Sequence, residues 1–382
     1  MGNTGLNVIA IPFLAMVVML SGCTRSDPVS TNTKTTIEAR ATILTATPTL
    51  APTIAITVTP TPLAFEERES GVKLIFGEEA VCNNGERATY LLHMDDEPSD
   101  KWVVYLEGGG YAGDPDGYRS RVRDGGYFVK PMRDPNHYAA GAFGHHMKEL
   151  GYNIVFVHYC SSDLYQGDHY HEIDGQNVPF KGRRIVEGVI NDLTSEFNMA
   201  SDIIFAGFSA GAVGLGFNAD LFARFENSRV LSDSLWYDAR NRDFELFEKG
   251  GVGRMANPKA YEFIFKNMPG HCANELKNCL ADRQLFKKLG IDKIFVIWNL
   301  GDPSNRQIND KTGVAEGIRA ELTALGAGFS ADMDKVNIEG FRGGHVMTQK
   351  TESYNQRVEG ITIKELVDNW VKGLGNTLYI GY

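Results

Sequence analysis

Gly207-Phe208-Ser209-Ala210-Gly211 sets a serine between two glycines, each two residues away. A serine hydroxyl attacks a carbonyl only when a nearby base takes its proton. Gly-x-Ser-x-Gly is the spacing that carries such a serine on a sharp strand-to-helix turn, where flanking side chains would strike neighbouring backbone. The context agrees: the apolar run Ile203–Ala206 reads as a strand, and Val213–Phe225 reads as a helix. The alternative is an ordinary Gly-rich turn between strand and helix, so the flanking elements carry the assignment.

The base and the acid that orients it should follow in the order serine, acid, histidine. His345, the last histidine of the chain, lies in Gly343-Gly344-His345-Val346 after the strand-like Lys335–Ile338. Asp302 follows an apolar run that ends at Trp298, so it tips the C-terminal end of a strand. Asp233, in Val230-Leu231-Ser232-Asp233-Ser234, is the rival acid, and could instead cap the next turn through its side chain. Ester cleavage also needs N–H donors aimed at the oxygen that becomes negative. Ala210, directly after the nucleophile, offers one. The Gly108–Gly110 loop, in Glu107-Gly108-Gly109-Gly110, offers the other.

The elements that must hold these residues are visible as apolar runs. Trp102–Leu106, Ile154–Val157, Ile203–Ala206 and Ile294–Trp298 are near-continuous, as strands covered on both faces should be. Arg184–Phe197, Val213–Phe225 and Glu316–Leu325 lie between them as helices. The fold class expected is α/β, α/β-hydrolase-like, with a mostly parallel central sheet flanked by helices on both faces. Chemistry then belongs at the C-terminal ends of the strands, where each motif sits. No internal repeat is visible.

The N-terminal region reads as a leader and a spacer. Val8–Leu20 is apolar but too short to cross a bilayer, and it ends in Leu20-Ser21-Gly22-Cys23, which resembles the lipobox of bacterial lipoproteins. Residues 1–22 are thus expected to be a signal peptide and Cys23 the lipidated residue. The absence of Lys and Arg from Met1–Asn7 departs from the usual pattern, and a plain secretory signal is the alternative. Residues 23–64, rich in Thr and Pro, cannot bury enough apolar surface to fold and should form an extended stalk. Residues 65–382 remain as the catalytic body, exported and held at a membrane only by the lipid.

The chain carries a net charge of −10, and a stalk of +1 leaves −11 on the body. That charge disfavours nucleic acid and anionic membrane surfaces as partners. Five cysteines occur. With Cys23 lipidated, the even remainder fits two disulfides: Cys272 with Cys279 as a local loop, and Cys82 with Cys160. Free thiols are the alternative. Zinc is disfavoured because no Cys-x-x-Cys pair is present.

Taken in order, these segments resemble the pectin acetylesterase/Notum family. Trp102–Tyr111 is similar to its first signature block, Val81-Cys82-Asn83-Asn84-Gly85 to an upstream Cys element, and Tyr159-Cys160-Ser161-Ser162-Asp163 to its Tyr-Cys-Ser-Ser-Asp block. The elbow resembles its Ser-Ala-Gly segment, and Val230–Asp238 its Asp-Ser-Gly-Trp block. The resemblance implies serine-dependent carboxylic ester hydrolysis without metal or organic cofactor. It also implies that Ser209, Asp302 and His345 match the triad, and Gly109, Gly110 and Ala210 the oxyanion hole. Asp233 falls in a block that does not supply the triad acid. Two departures touch the acyl pocket: Tyr111-Ala112 replace a Trp-containing segment with a further cysteine, and Phe208 stands where a small residue or Cys is usual.

Other features are read as structural. His169-Tyr170-His171, with Asp168 and Glu172 nearby, could offer a metal two imidazoles, but is expected to be a solvated or substrate-facing loop. Asp114-Pro115-Asp116-Gly117 lacks the later ligands of a calcium loop and is expected to be a β-turn. Arg183-Arg184 reads as a solvated helix start. Tyr111, Tyr118 and Tyr165 could stack on sugars or form core edges. Three functions follow. The first is an O-acetylesterase acting on polysaccharide such as pectin, as a monomer. The others are a hydrolase of longer acyl esters on lipid or protein, and a non-catalytic surface binding protein.

Overall fold

A computed structural model of the chain describes residues 69–134, 140–234, 263, 269–272, 279, 283–300, 302, 316, 319–320, 322–331, 345–375 and 377–381. Its strands are β1 (Gly71–Leu74), β2 (Thr89–His93), β3 (Lys101–Leu106), β4 (Asn153–Val157), β5 (His169–Ile173), β6 (Gln176–Phe180), β7 (Asp202–Phe208), β8 (Ser228–Asp233), β9 (Lys293–Asn299), β10 (Gly328–Ala331) and β11 (Leu378–Ile380). Strands β5 and β6 pair as a hairpin. The other nine form one sheet in the order β1-β2-β4-β3-β7-β8-β9-β10-β11. Only β1 with β2 and β2 with β4 are antiparallel. This is the mostly parallel, α/β-hydrolase-like sheet expected from the apolar runs.

The strands are apolar throughout because both faces are covered. On β3, Trp102, Val104 and Leu106 enter one core, while Val103 and Tyr105 enter the other. On β7, Ile203 and Phe205 divide from Ile204 and Ala206 in the same way. Successive side chains of a strand point to opposite faces, so a strand between two helix layers has no polar face to show. All the β3 and β7 residues named here are fully buried. Each large one contributes about 1.5–3 kcal/mol by leaving water.

Strand order places the site. The chain runs from β3 to β4 on one side, then crosses to β7 on the other. The connections after β3 and after β7 therefore diverge from adjacent strand ends, which opens a crevice there. The loop Glu107–Gly110 leaves β3, and Ser209 leaves β7.

Several expected boundaries change. The α-helices as far as β8 are α1 (Pro115–Arg123), α2 (Gly141–Glu149), α3 (Gly182–Asp192), α4 (Thr194–Met199), α5 (Ala210–Phe217) and α6 (Ala219–Phe222), and Arg283–Lys288, Thr351–Asn355 and Ile363–Lys372 are also helical. The single helix expected over Val213–Phe225 begins three residues earlier and divides at Asn218. That side chain donates to the carbonyls of Gly214 (2.8 Å) and Tyr165 (2.9 Å), which ends α5 against another loop. The helix expected over Arg184–Phe197 is two, α3 and α4, meeting at Leu193. Asp114–Gly117 is not a β-turn but the start of α1: the Asp114 carboxylate accepts from Gly117 N–H at 2.7 Å, and Pro115 takes the first helical position. Of Glu316–Leu325, residues 316, 319–320 and 322–325 are helical. Residues 335–338 and Cys23 lie outside the described residues.

Both expected disulfides are present, Cys82–Cys160 and Cys272–Cys279. The first ties the segment before β2 to the loop after β4 across a sequence separation of 78 residues. In the chain-entropy picture, closing so long a loop removes about 4–5 kcal/mol of unfolded-state freedom.

Candidate active site

Ser209 occupies the turn between β7 and α5 with φ 52° and ψ −119°, a conformation that L-residues rarely adopt. Its neighbours enforce it. Its N–H donates to the Asp233 carbonyl of β8 at 3.0 Å. A Cβ on Gly207 would lie 2.6 Å from the Gly211 backbone, and one on Gly211 only 2.1 Å from Leu106 O. Both flanking glycines are therefore sterically required, and α5 starts directly against the end of β3. Strain of this kind persists only where the surrounding structure over-determines it.

The turn brings Ser209 Oγ to 2.7 Å from His345 Nε2, and His345 Nδ1 lies 2.7 Å from Asp302 Oδ2. Asp302 is buried at 1% exposure, whereas the imidazole keeps 34% of its side-chain surface. Burial alone would lower the His345 pKa. The hydrogen bond and charge of Asp302, together with the charge of Asp233, outweigh it and raise the value.

Asp233, the rival acid, is committed elsewhere. Its Oδ2 accepts from Met347 N (3.0 Å), Thr348 N (2.7 Å) and Thr348 Oγ1 (2.6 Å), and its Oδ1 accepts from Ser234 Oγ (2.6 Å). It is fully buried, and burial raises its pKa against those bonds. Asp233 caps a turn, though not the adjacent one: it ties down the segment that follows His345, more than a hundred residues away.

The Gly-rich loop packs against the elbow. A Cβ on Gly108 would strike the Phe208 ring at 2.5 Å, and one on Gly109 would strike Phe128 at 2.5 Å and Tyr159 at 2.9 Å. Gly109 and Gly110 have φ of 153° and 67°, so glycine is needed for conformation as well as for space. No acceptor among the described residues takes the backbone N–H of Gly109, Gly110 or Ala210. Glu107 fixes the root of the loop: its carboxylate accepts from Tyr127 OH (2.9 Å), His158 Nδ1 (2.7 Å) and Tyr159 N (2.9 Å). Such an arrangement can move a proton from a serine to an imidazole and offer N–H donors to a developing negative charge.

Sequence reading missed the supports of this site. Asp163, fully buried, accepts from Ser161 Oγ (2.6 Å), Tyr165 N (3.1 Å), Gly167 N (3.2 Å) and Gly182 N (2.8 Å). Burial pushes its pKa up to about 6. The Ser-Ser-Asp spelling was the available signal, since such residues bond local backbone. Tyr165 is core, fully buried, whereas Tyr111 and Tyr118 remain partly exposed. Arg183 is not a solvated helix start: its side chain is 16% exposed and pairs with Asp220 at 2.7 Å. His169 is buried and stacks on Phe180, and its Nε2 lies 3.0 Å from that of His171, so this pair belongs to a packed hairpin rather than a solvated loop. His271, Cys272 and Cys279 cluster, but the two sulfurs are bonded to each other and offer no thiolate. Among the described residues, no helix is long and apolar enough to cross a membrane.

Comparison with known proteins places the chain in a family. A family model described as Pectinacetylesterase matches residues 66–302. That span contains the Gly-rich loop, Ser209 and Asp302, and ends before His345. Among curated proteins, the palmitoleoyl-protein carboxylesterase notum1' of Xenopus laevis is 28% identical over 262 residues, covering 62% of this chain and 53% of that protein. Notum2 of Xenopus laevis is 30% identical over 203 residues, covering 46% and 39%. Notum1a of Danio rerio is 28% identical over 192 residues, covering 46% and 38%. The alignments thus span between 38% and 53% of the length of these relatives.

Proposed function

This chain belongs to the pectinacetylesterase family, and from that premise we propose that it is a serine carboxylesterase that removes O-acetyl groups from an extracytoplasmic polysaccharide such as pectin. The observation that carries the reading is the pair of 2.7 Å contacts joining Ser209 Oγ, His345 and buried Asp302. Ser209 Oγ attacks the ester carbonyl as His345 Nε2 takes its proton. Asp302 holds the tautomer with Nδ1–H and stabilises the imidazolium. The tetrahedral oxyanion accepts N–H donors from the Gly109–Gly110 loop and Ala210, each worth roughly 3–4 kcal/mol in such sites. Collapse releases the sugar hydroxyl with the proton from His345 and leaves acetyl-Ser209. Water, deprotonated by His345, attacks the acyl-enzyme and releases acetate. Every step uses groups of this chain, the ester and water.

The same proposal covers the molecule's placement. Residues 1–22 direct export, Cys23 carries the lipid, residues 23–64 space the body from the membrane, and residues 65–382 act as a monomer on polymer outside the cell. Two disulfides support an oxidising, extracytoplasmic location.

A second reading is favoured by the relatives' names, which describe carboxylesterases of palmitoleoyl-protein. Here the ester would carry a long acyl chain on protein. Hydrolysis of p-nitrophenyl esters from acetyl to decanoyl, by the wild type and Ser209→Ala, separates the readings. A preference for acetyl that vanishes in Ser209→Ala supports the first, and a preference for long chains supports the second. Turnover that survives in folded Ser209→Ala removes the acyl-enzyme mechanism altogether.

A further inference from the structure

Arg121 belongs to none of the motifs that define the site, yet it touches the Gly-rich loop. It lies on α1 and reaches back to that loop. Its Nη1 donates to the Gly109 carbonyl at 2.7 Å, and its Nε donates to Ser162 Oγ at 2.7 Å. The guanidinium sits over the Phe128 ring at 4.9 Å and the Tyr159 ring at 5.6 Å. A Cβ on Gly109 would strike these same two rings. One aromatic pair thus confines both the cation and the glycine it holds.

The peptide between Gly109 and Gly110 is the one whose direction matters most for an oxyanion. Two glycines flank it, each at positive φ, where glycine moves between regions with little penalty. Left alone, such a peptide can flip and reverse its N–H. The described chain contains no cis bond, so this unit is planar and trans, and its C=O and N–H point in opposite directions. A bond that fixes the Gly109 carbonyl toward Arg121 therefore fixes the Gly110 N–H away from it. That N–H has no acceptor among the described residues.

Arg121 is costly where it lies. Its Nη2 is buried without a hydrogen-bond partner, and its bonds go to a carbonyl and a hydroxyl rather than to a carboxylate. Burial pushes its pKa down. The Asp163 charge offsets only part of that cost, and a largely desolvated cation bonded to no carboxylate gains little stability from its place. A residue kept only for stability would be better replaced by an apolar side chain of the same length.

We propose that Arg121 is a positioning residue for ester hydrolysis, clamping the Gly109 carbonyl so that the Gly110 N–H faces the oxyanion. This rests on the acyl-enzyme reading given above. Arg121 touches no reacting atom. It acts through the peptide it orients, and its link to Ser162 ties the Gly-rich loop to the Ser-Ser-Asp loop.

The test compares full-length wild type with Arg121→Met, Arg121→Lys, Arg121→Ala and Ser209→Ala on p-nitrophenyl acetate. Arg121→Met keeps the apolar stem between Phe128 and Tyr159 and removes the donors. Its kcat is expected to fall about 100-fold, the cost of a misplaced catalytic group, with KM within about threefold and Tm unchanged or raised. A trifluoromethyl ketone, which forms a hemiketal oxyanion on serine, should lose affinity in proportion to kcat/KM across the series. Arg121→Lys can satisfy one acceptor and should fall between. Millimolar methylguanidinium should restore part of the Arg121→Ala rate. Arg121→Met at more than a third of the wild-type kcat overturns the proposal. So does a loss that comes with a lower Tm and a higher KM while ketone affinity per unit of KM is unchanged. Ser209→Ala separates the levels: if it still turns over, the acyl-enzyme reading fails and the clamp has no oxyanion to serve. If it is dead while Arg121→Met is active, only the clamp fails.

Discussion

His345 is served by two carboxylates through different physics. Asp302 bonds the ring at 2.7 Å, whereas Asp233 acts through its charge and through the turn it holds. Because the net effect raises the His345 pKa, the imidazole should gain its proton at a pH above the ordinary histidine value of about 6.5. In the proposed mechanism His345 is a base only when neutral, so kcat/KM for p-nitrophenyl acetate should fall on the acid side with a midpoint above that value. A raised folded-state pKa also means that His345 adds stability below its unfolded value and loses it as pH rises through the folded one. Asp302→Asn should move the acid midpoint down and lower kcat by roughly 10³–10⁴-fold, as loss of the orienting acid does in serine hydrolases. Asp233→Asn keeps an oxygen for Met347 and Thr348 and a donor for Ser234. It should retain the fold while shifting the midpoint down modestly. Asp233→Ala removes the acceptor of four buried donors, at about 1–3 kcal/mol for each left unpaired, and should unfold the turn. A pH profile with the same midpoint in all three proteins would refute this account.

At the scale of elements, the elbow depends on how closely α5 approaches β3. Gly211 is the contact: its missing Cβ leaves room for Leu106 O, a backbone atom that cannot rotate away. Gly211→Ala should push α5 outward, lower stability by roughly 1–3 kcal/mol, and reduce kcat by orders of magnitude as the Ala210 N–H leaves the oxyanion. Denaturant melts and p-nitrophenyl acetate kinetics check both parts, and wild-type kcat in Gly211→Ala would show that the contact relaxes harmlessly. The loop ahead of α1 shows another dependence. The Asp114 cap and Pro115 start α1, and α1 carries Arg121 to Gly109, so a helix cap and the peptide of the Gly-rich loop are coupled through the helix from Pro115 to Arg121.

For the whole molecule, net charge and the proposed tether make testable claims about where and on what it works. If Cys23 carries the anchor, full-length protein should fractionate with membranes and take up labelled palmitate, while Cys23→Ser should become soluble with unchanged kcat on p-nitrophenyl acetate. Equal fractionation of the two would remove the anchor. A body of net charge −11 repels a polyanionic polymer at long range. Raising ionic strength from about 0.01 to about 0.15 M shortens the screening length from about 30 to about 8 Å. KM for acetylated pectin should therefore fall with salt, whereas KM for neutral p-nitrophenyl acetate should stay level. Matching salt responses would point to a neutral polymer or a local basic surface.

The amino-acid sequence determined what local steric and hydrophobic rules can encode. Apolar runs without alternation specified strands covered on both faces, and Gly207 and Gly211 specified a turn around Ser209 whose two flanking positions leave no room for a side chain. Chain order and position after strand-like runs made His345 and Asp302 candidates, with Asp233 left as the rival acid. The sequence could not say that Asp233 would hold the backbone at Met347, that Asn218 would end a helix by bonding Tyr165, or that Arg121 would reach Gly109. Those are contacts between residues 12 to 114 positions apart. They depend on β3, β7 and β8 lying side by side, and strand order is a property of the folded sheet rather than of any segment. Hydrogen bonds of a few tenths of a nanometre are decided only once packing has fixed which side chains can meet.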